Sequence, residues 1–405
     1  MNNKPNSKVW FVLLSLLSLM GIGAWGYQLV NGLGVTGMNN VVSWGLYITM
    51  FMFFVGLSAG GLIVSSSATV FNIPAFKVVA KPAVILSTVC IILAGAFIII
   101  DIGSPERLFN LLLHPQFGSP LMWDVVIITL YLAINVGYLY LMTRPNPEQH
   151  KLTIMSRIAL PVAILVHSVT AWIFGLQIAR EGWHNALMAP LFVASALDSG
   201  LALLIIVLLL LDLFNLFKVE KKLITSLAGL LVTCVAVDAF FIFSEVLTAL
   251  YPGEDSAMHI LNEMVKGSTA PFFWGEIILG FVIPLALLMF RKNRENTKIV
   301  VFSSVLVIIG VLCKRVWLLF TSFIHPNVTG APGVTIGRYT SSGDSIHTPS
   351  IWTTQGQYLP TIIEGIIVIG MLALGILLFS ILARMILSER ALNTQNQLQK
   401  QVHGK

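Results

Sequence analysis

Charge is what this sequence has least of: Asp, Glu, Lys and Arg make up 10% of its 405 residues, against 56% apolar ones. A soluble chain of this length needs far more charge to cover its surface, so a soluble globular fold is excluded and the excess apolar surface must face lipid. Cysteine is scarce as well. Cys90, Cys234 and Cys313 each stand alone in an apolar stretch with no CxxC pair, which leaves no ligand set for an iron–sulfur cluster or a structural zinc. The third shortage is of buried histidine. His114, His150, His184, His259, His325, His347 and His403 fall in loops or tails, and His167 alone lies inside an apolar run. Two axial imidazoles facing each other across a b-type haem are therefore not provided. The chain is expected to hold no haem, no iron–sulfur cluster and no metal of its own.

Long apolar runs are abundant. Runs of about 20 residues fall at 9–30, 42–71, 82–102, 122–142, 158–179, 189–214, 223–249, 271–290, 299–323 and 357–387. The fold class expected is an all-α integral membrane protein of about ten transmembrane helices. The first run follows Lys4 and Lys8 and continues through Trp25 and Tyr27 to Val30, too long for the apolar region of a signal peptide, so it is expected to remain as a span.

Lysine and arginine set the orientation. Lys4, Lys8, Lys77, Lys81, Arg144, Lys151 and Arg157 lie on the N-terminal side, as do the basic groups at 218–222, 291–298 and 384–405. That side takes 18 of the 24 basic residues and leaves 6 for everything else. Both termini are expected in the cytoplasm, with the chain in a bacterial-type inner membrane. The net charge of +6 sits in short loops between spans, which marks orientation and not a nucleic-acid surface.

The opposite face holds the patterned loops: DIGSPERLFNLLLHPQFGSPLMWD (101–124), AREGWHNALMAP (179–190), YPGEDSAMHILNEMVKGSTAPFFWGE (251–276) and the segment from His325 to Pro360. Their glycine, proline, tryptophan and acid content suits shaped loops that cover a site or dock a partner. The expected division is 1–41 as tail and first span, 42–323 as the core, 324–360 as a long outer loop, and 361–405 as the last span and tail.

Ionisable residues fall inside the spans or at their outer ends: His167, Asp198, Asp238, Glu245, Glu276, Lys314, Arg315 and Glu364. A charge at the bilayer centre costs on the order of 3 kcal/mol, so such residues face a polar cavity, pair with one another or carry protons. Asp238 and Glu245 are seven apart, hence on one helix face and separated by about 10 Å. They suit successive stations of a proton route, with Arg315 placed to balance one carboxylate. A fixed ion pair locking two helices is the alternative for Arg315, and a satisfied interhelical hydrogen bond is the alternative for His167.

The stretches VVSWGLYITMFMFFVGLSAGG (41–61), DIGSPERL, SPLMWD and HSVTAWIFGLQIAREGWHNALMAPLFVASALDSGLAL (167–203), with FWGEIILGFVIP (273–284) and YLPTIIEG (358–365), resemble the NrfD family of polysulfide-reductase-type membrane subunits. The resemblance runs from the second span onward, and the block from His167 is its most specific part. It implies two four-helix bundles with flanking spans, and a membrane anchor that oxidises or reduces a quinone, menaquinone or ubiquinone. It also implies an iron–sulfur subunit docked on the outer face that serves a catalytic subunit of the molybdopterin type. His167 and Asp198, 31 residues apart, match the family's quinone-pocket elements. Trp44, Gly60 and Gly61 fall in the matching second span and are expected to line the pocket. SAGGL (58–62) and DSGLA (198–202) are candidate matching positions of the two bundles.

The chemistry agrees with these residue types. Each oxygen of a quinone needs a partner that exchanges protons near neutral pH, as imidazole and a partly buried carboxylate do. Its ring and tail need an apolar slot open to lipid, which the glycines of the second span could provide where helices separate or approach closely. A proton-coupled secondary transporter with a midplane site is the alternative from another class. Against it stands the concentration of patterned loops on one face.

Overall fold

The structure is a computed structural model that describes residues 7–71, 73–144, 148–180, 182–324 and 358–387. Ten helices in it are long and apolar enough to cross a membrane. In chain order they are α1 (Ser7–Asn31), α2 (Leu46–Val70), α3 (Ala80–Asp101), α4 (Pro120–Thr143) and α5 (Gln149–Gly175). There follow α6 (Met188–Leu213), α7 (Lys221–Leu250), α8 (Ala270–Leu288), α9 (Thr297–Ile324) and α10 (Ile362–Leu387). No strand occurs among the described residues. The expected loop at 324–360 falls almost entirely outside them.

Helix ends depart from the apolar runs where local chemistry decides. α5 begins at Gln149, nine residues before its apolar run, because the hydrogen-bond ladder continues through the exposed Lys151 and Arg157; hydropathy marks the lipid crossing and not the helix. α2 starts at Leu46 and not at 42, where the Leu46 amide donates to Tyr358 Oη at 2.8 Å. α10 opens with a capping box: the Thr361 amide donates to Glu364 Oε2 at 2.8 Å and the Glu364 amide donates to Thr361 Oγ1 at 3.3 Å. Glu364 also accepts from the Gly37 amide at 2.8 Å and from Tyr358 Oη at 2.6 Å. Burial, then the adjacent carboxylate, holds the Tyr358 phenol far above its ordinary pKa, so it remains a donor. This buried acid thus fastens the loop after α1, the start of α2 and the start of α10.

α8 is irregular. It runs as α-helix over Ala270–Gly275, as π-helix over Glu276–Val282 and again as α-helix over Ile283–Leu288. Pro284 cannot donate an amide and its ring crowds the carbonyl four residues back, so the wide turn relieves the clash before the helix resumes.

Helices α2–α5 pack as one four-helix bundle and α6–α9 as a second, while α1 pairs with α10 on the side of α3. The bundles meet chiefly where α2 lies against α6 and α5 against α6. At that junction Gly60 faces Gly200 so closely that a Cβ on Gly60 would stand 2.2 Å from the Gly200 carbonyl carbon. The two short look-alike segments, SAGGL and DSGLA, therefore touch each other at the seam. Bare backbones are what permit such approach in lipid, where dispersion replaces the hydrophobic drive between helices.

Candidate functional site

Five helices bring polar side chains to one layer at the seam and behind it in the second bundle. α5 supplies His167, α6 supplies Ser195, Asp198 and Ser199, α7 supplies Asp238, α8 supplies Glu276 and α9 supplies Lys314 and Arg315. His167 is 1% exposed and Asp198 and Arg315 are 0% exposed. Counted from the helix ends opposite the basic face, His167, Asp198 and Arg315 lie about 12 to 15 Å deep and Asp238 about 18 Å, at 1.5 Å per residue. They form one layer inside the membrane.

Within that layer the hydrogen bonding is incomplete. Arg315 Nη2 donates to Ser195 Oγ at 2.7 Å, and the guanidinium lies over the Phe192 ring, 4.1 Å from its centre. Arg315 Nε and Nη1, His167 Nε2 and both carboxylate oxygens of Asp198 are buried with no hydrogen-bond partner among the described residues. Stranding this many polar atoms in an apolar interior is costly. The set offers both hydrogen-bond donors and acceptors, the types that the oxygens of a polar head would need. A hypothetical Cβ on Gly56 would lie 3.5 Å from Arg315 Nη2, so α2 walls the layer with backbone.

The ion pairing differs from expectation in its partner. Lys314, not Arg315, balances the acids: its Nζ donates to Asp238 Oδ1 at 3.2 Å and lies 3.6 Å from Glu276 Oε1. Trp317 Nε1 donates to Glu276 Oε2 at 2.6 Å. Arg315 makes no ion pair within 4 Å among the described residues. Residues 314 and 315 are adjacent on α9 and point about 100° apart, so one serves α7 and α8 while the other serves α6. Glu245, expected as a second proton station on α7, accepts from Asn185 Nδ2 at 3.0 Å.

Trp44 belongs to an aromatic cluster beside the layer. It stacks on Trp183 at 5.9 Å and meets Phe174 and Phe323 edge-on. Phe174 stacks in turn on Phe192 at 6.0 Å, whose ring carries Arg315. The second-span glycines are filled by neighbours: Gly60 by Gly200, and Gly61 by the Ala83 carbonyl and Ser87. They serve close approach of helices and open no slot. A lipid-side groove of about 380 Å³ lies instead between α5, α6 and α7, lined by Ser168, Leu197, Val237 and Phe241 among others. Three of these are chain neighbours of His167, Asp198 and Asp238, so groove and polar layer flank the same helix turns.

Residues 34–327 match the family model described as polysulphide reductase, NrfD. The chain belongs to the NrfD family. It is 38% identical over 89% of its length, and 86% of the relative's, to a protein of Halobacterium salinarum provisionally named as a membrane subunit of dimethyl sulfoxide reductase. It is 26% identical to a selenate reductase subunit of Mesobacillus selenatarsenatis, covering 80% of this chain and 84% of that one. It is 28% identical to the Hdr-like menaquinol oxidoreductase integral membrane subunit of Archaeoglobus fulgidus, with 89% of each chain covered. The NrfD match spans both bundles and stops short of α10.

Two groups in this NrfD chain escaped the sequence reading. Lys314 was visible as a buried cation, but its pairing was not, because helix azimuth is set by packing. Asp124, in SPLMWD, reads as a loop acid. In the structure it lies in the second turn of α4, 3% exposed, and accepts from Thr170 Oγ1 at 2.6 Å. Proline at the first helical position, at 120, was the available signal that the helix already includes it.

Proposed function

We propose that this NrfD-family chain is the quinone-reactive membrane subunit of a multisubunit oxidoreductase. Its quinone head, of a menaquinone or a ubiquinone, is held by His167, Asp198 and Arg315. The observation that carries this reading is the set of unpartnered buried atoms on those three side chains at one depth. When bound, the quinone supplies two-electron, two-proton chemistry. His167 and Asp198 exchange the two protons, Arg315 donates to an oxygen while Ser195 fixes its plane, and the apolar groove between α5, α6 and α7 takes the tail.

Electrons pass to or from an iron–sulfur subunit seated on the face opposite the basic one, which serves a catalytic subunit of the molybdopterin type. The basic face is then cytoplasmic, as are both termini, and the membrane is the inner membrane of a bacterial-type cell. Asp238 and Glu245 on α7, with Lys314 joining Asp238 to Glu276, extend the polar layer toward the basic face and away from it. They form a route along which protons move when the charge at His167 and Asp198 changes, Arg315 holding the quinone end. None of the three relatives described above is named a transporter, and no contact favours that reading.

The test is made on the purified subunit. It should retain quinone extractable in about equimolar amount and show no haem band in a reduced-minus-oxidised spectrum. A subunit that neither retains quinone nor binds an added soluble quinone analogue overturns the assignment, as does stoichiometric haem. Reconstituted vesicles test the route: Asp238→Asn should abolish charge movement coupled to turnover while part of the electron transfer survives. Wild-type turnover with no charge movement returns Asp238 and Glu245 to a supporting role.

A further inference from the structure

Asp124 is a buried carboxylate for which the proposed reaction so far has no task. Its hydrogen-bond partner among the described residues is Thr170, whose Oγ1 lies 2.6 Å from Asp124 Oδ1 and 2.9 Å from the carbonyl oxygen of Val166. A hydroxyl has one proton to give and lone pairs to receive, so this trio has two complete bonding patterns. With Asp124 ionised, Thr170 donates to the carboxylate. With Asp124 protonated, the acid donates to Thr170 Oγ1 and the hydroxyl turns to donate to Val166. Neither state strands a polar atom that the other satisfied, which removes the hydrogen-bonding part of the cost of changing the protonation of a buried acid.

The trio is also placed between the polar layer and the surface. Thr170 is three residues from His167 on one face of α5, about 4.5 Å nearer the face opposite the basic one. Asp124 stands four residues inside the end of α4, about 6 Å from that face. Around it, α4 packs against α5 and α3. α3 carries Lys81 at the basic end, Cys90 midway and Asp101 at the other end, and the remaining titratable groups of α5, at 150, 151 and 157, lie at the basic end. His167 is the titratable group one turn from Asp124's partner, and its Nε2 has no partner of its own.

We propose that Asp124 is the carboxylate through which His167 exchanges its proton with water on the face opposite the basic one. This rests on the reading of the polar layer as a quinone site. In the oxidising direction His167 Nε2 takes up one of the two protons that quinol oxidation releases, Asp198 takes the other, and the two electrons go to the iron–sulfur partner. A turn of the His167 ring brings Nε2, unpartnered at rest, to Thr170 Oγ1, which receives the proton as its own passes to Asp124 Oδ1, and Asp124 gives it to water. Each transfer breaks one bond to hydrogen and forms one, and the reducing direction runs the same steps backward.

The experiment uses the assembled complex in membranes. Asp124→Asn keeps the size of the side chain and a hydrogen bond to Thr170 but holds no exchangeable acid proton. In wild-type complex, redox-difference infrared spectra should show the carbonyl stretch of a protonated carboxyl group, shifted in heavy water, and Asp124→Asn should remove it. Turnover of the variant should fall at least about tenfold, with azide or formate restoring it and Asp124→Glu retaining most of it. Thr170→Val, which leaves the acid in place, should slow turnover and respond to the same small acids. An unchanged infrared difference with full turnover in Asp124→Asn overturns the proposal, and so does a loss that neither small acids nor glutamate relieve. If the wild-type complex neither binds nor oxidises quinol, the quinone reading fails and this inference with it; quinol oxidation indifferent to Asp124→Asn defeats this inference alone.

Discussion

The two bundles are built alike and filled differently. In α2–α5 the buried polar groups are mostly neutral, and several tyrosine and serine hydroxyls bond to one another: Tyr131 Oη lies 2.9 Å from Ser87 Oγ and donates to the Ser58 carbonyl at 3.1 Å, and Tyr138 Oη lies 2.8 Å from Ser156 Oγ. In α6–α9 they are charged, and the pairing of Lys314 with Asp238 and Glu276 leaves Asp238 Oδ2 without a partner among the described residues. A closed neutral network rigidifies at little cost. A charged one with spare valences is expensive, and suits a site where charge moves. Under the proposed function, charge handling falls mainly to the second bundle, and the first contributes His167 and Thr170 on α5 and Asp124 on α4 to an otherwise supporting frame.

The largest break in that contrast should come from Lys314→Met, which strands two acids. Removing one partner of a buried ion pair costs about 3–5 kcal/mol, so the thermal midpoint and the membrane level of the complex should drop. Adding Asp238→Asn and Glu276→Gln should recover much of the loss; failure to recover would show that Lys314 acts through packing. Next in size are His167→Gln and Asp198→Asn. Each should lower quinone-linked turnover about a hundredfold or more with the thermal midpoint nearly unchanged, and the double variant should lose little beyond either single one. Full activity in both singles at normal protein level would remove them from the site.

Smaller effects sharpen the seam. Gly60→Ala places a Cβ 2.2 Å from the Gly200 backbone, whereas on Gly56 the same methyl would find 3.5 Å to the nearest side-chain atom. The first should cost about 1–3 kcal/mol and the second little, measured as paired thermal midpoints. Equal midpoints would mean that the bundles slide freely at the seam. The smallest change is expected for Tyr131→Phe: about 1 kcal/mol of stability, with electron-transfer rates as in the wild type. A rate defect there would blur the division between supporting and reacting bundle.

Much of this was legible in residues alone. Ten apolar runs identified ten helices, and basic residues sorted their ends, because lipid demands about 20 apolar residues per crossing whatever the fold. The same rules failed at α5, whose charged first turns are helical without being apolar, and at the Gly60 and Gly61 pair, where a glycine-rich stretch reads equally as a slot or as a close crossing.

Composition and pattern by themselves determined that the chain lives in a membrane, which face is basic, and which ionisable residues, Asp124 apart, are immersed. These follow from transfer free energies that belong to each residue wherever it stands. Tertiary packing decided the partners. Lys314 and Arg315 are neighbours in sequence with the same charge, yet the first meets Asp238 and Glu276 while the second meets Ser195 and Phe192. Likewise Asp124 finds Thr170 across a gap of 46 residues. A step of one residue turns a side chain about 100° around a helix axis, so which groups face each other depends on how the helices are rotated and crossed, and glycine contacts between helices set that rotation.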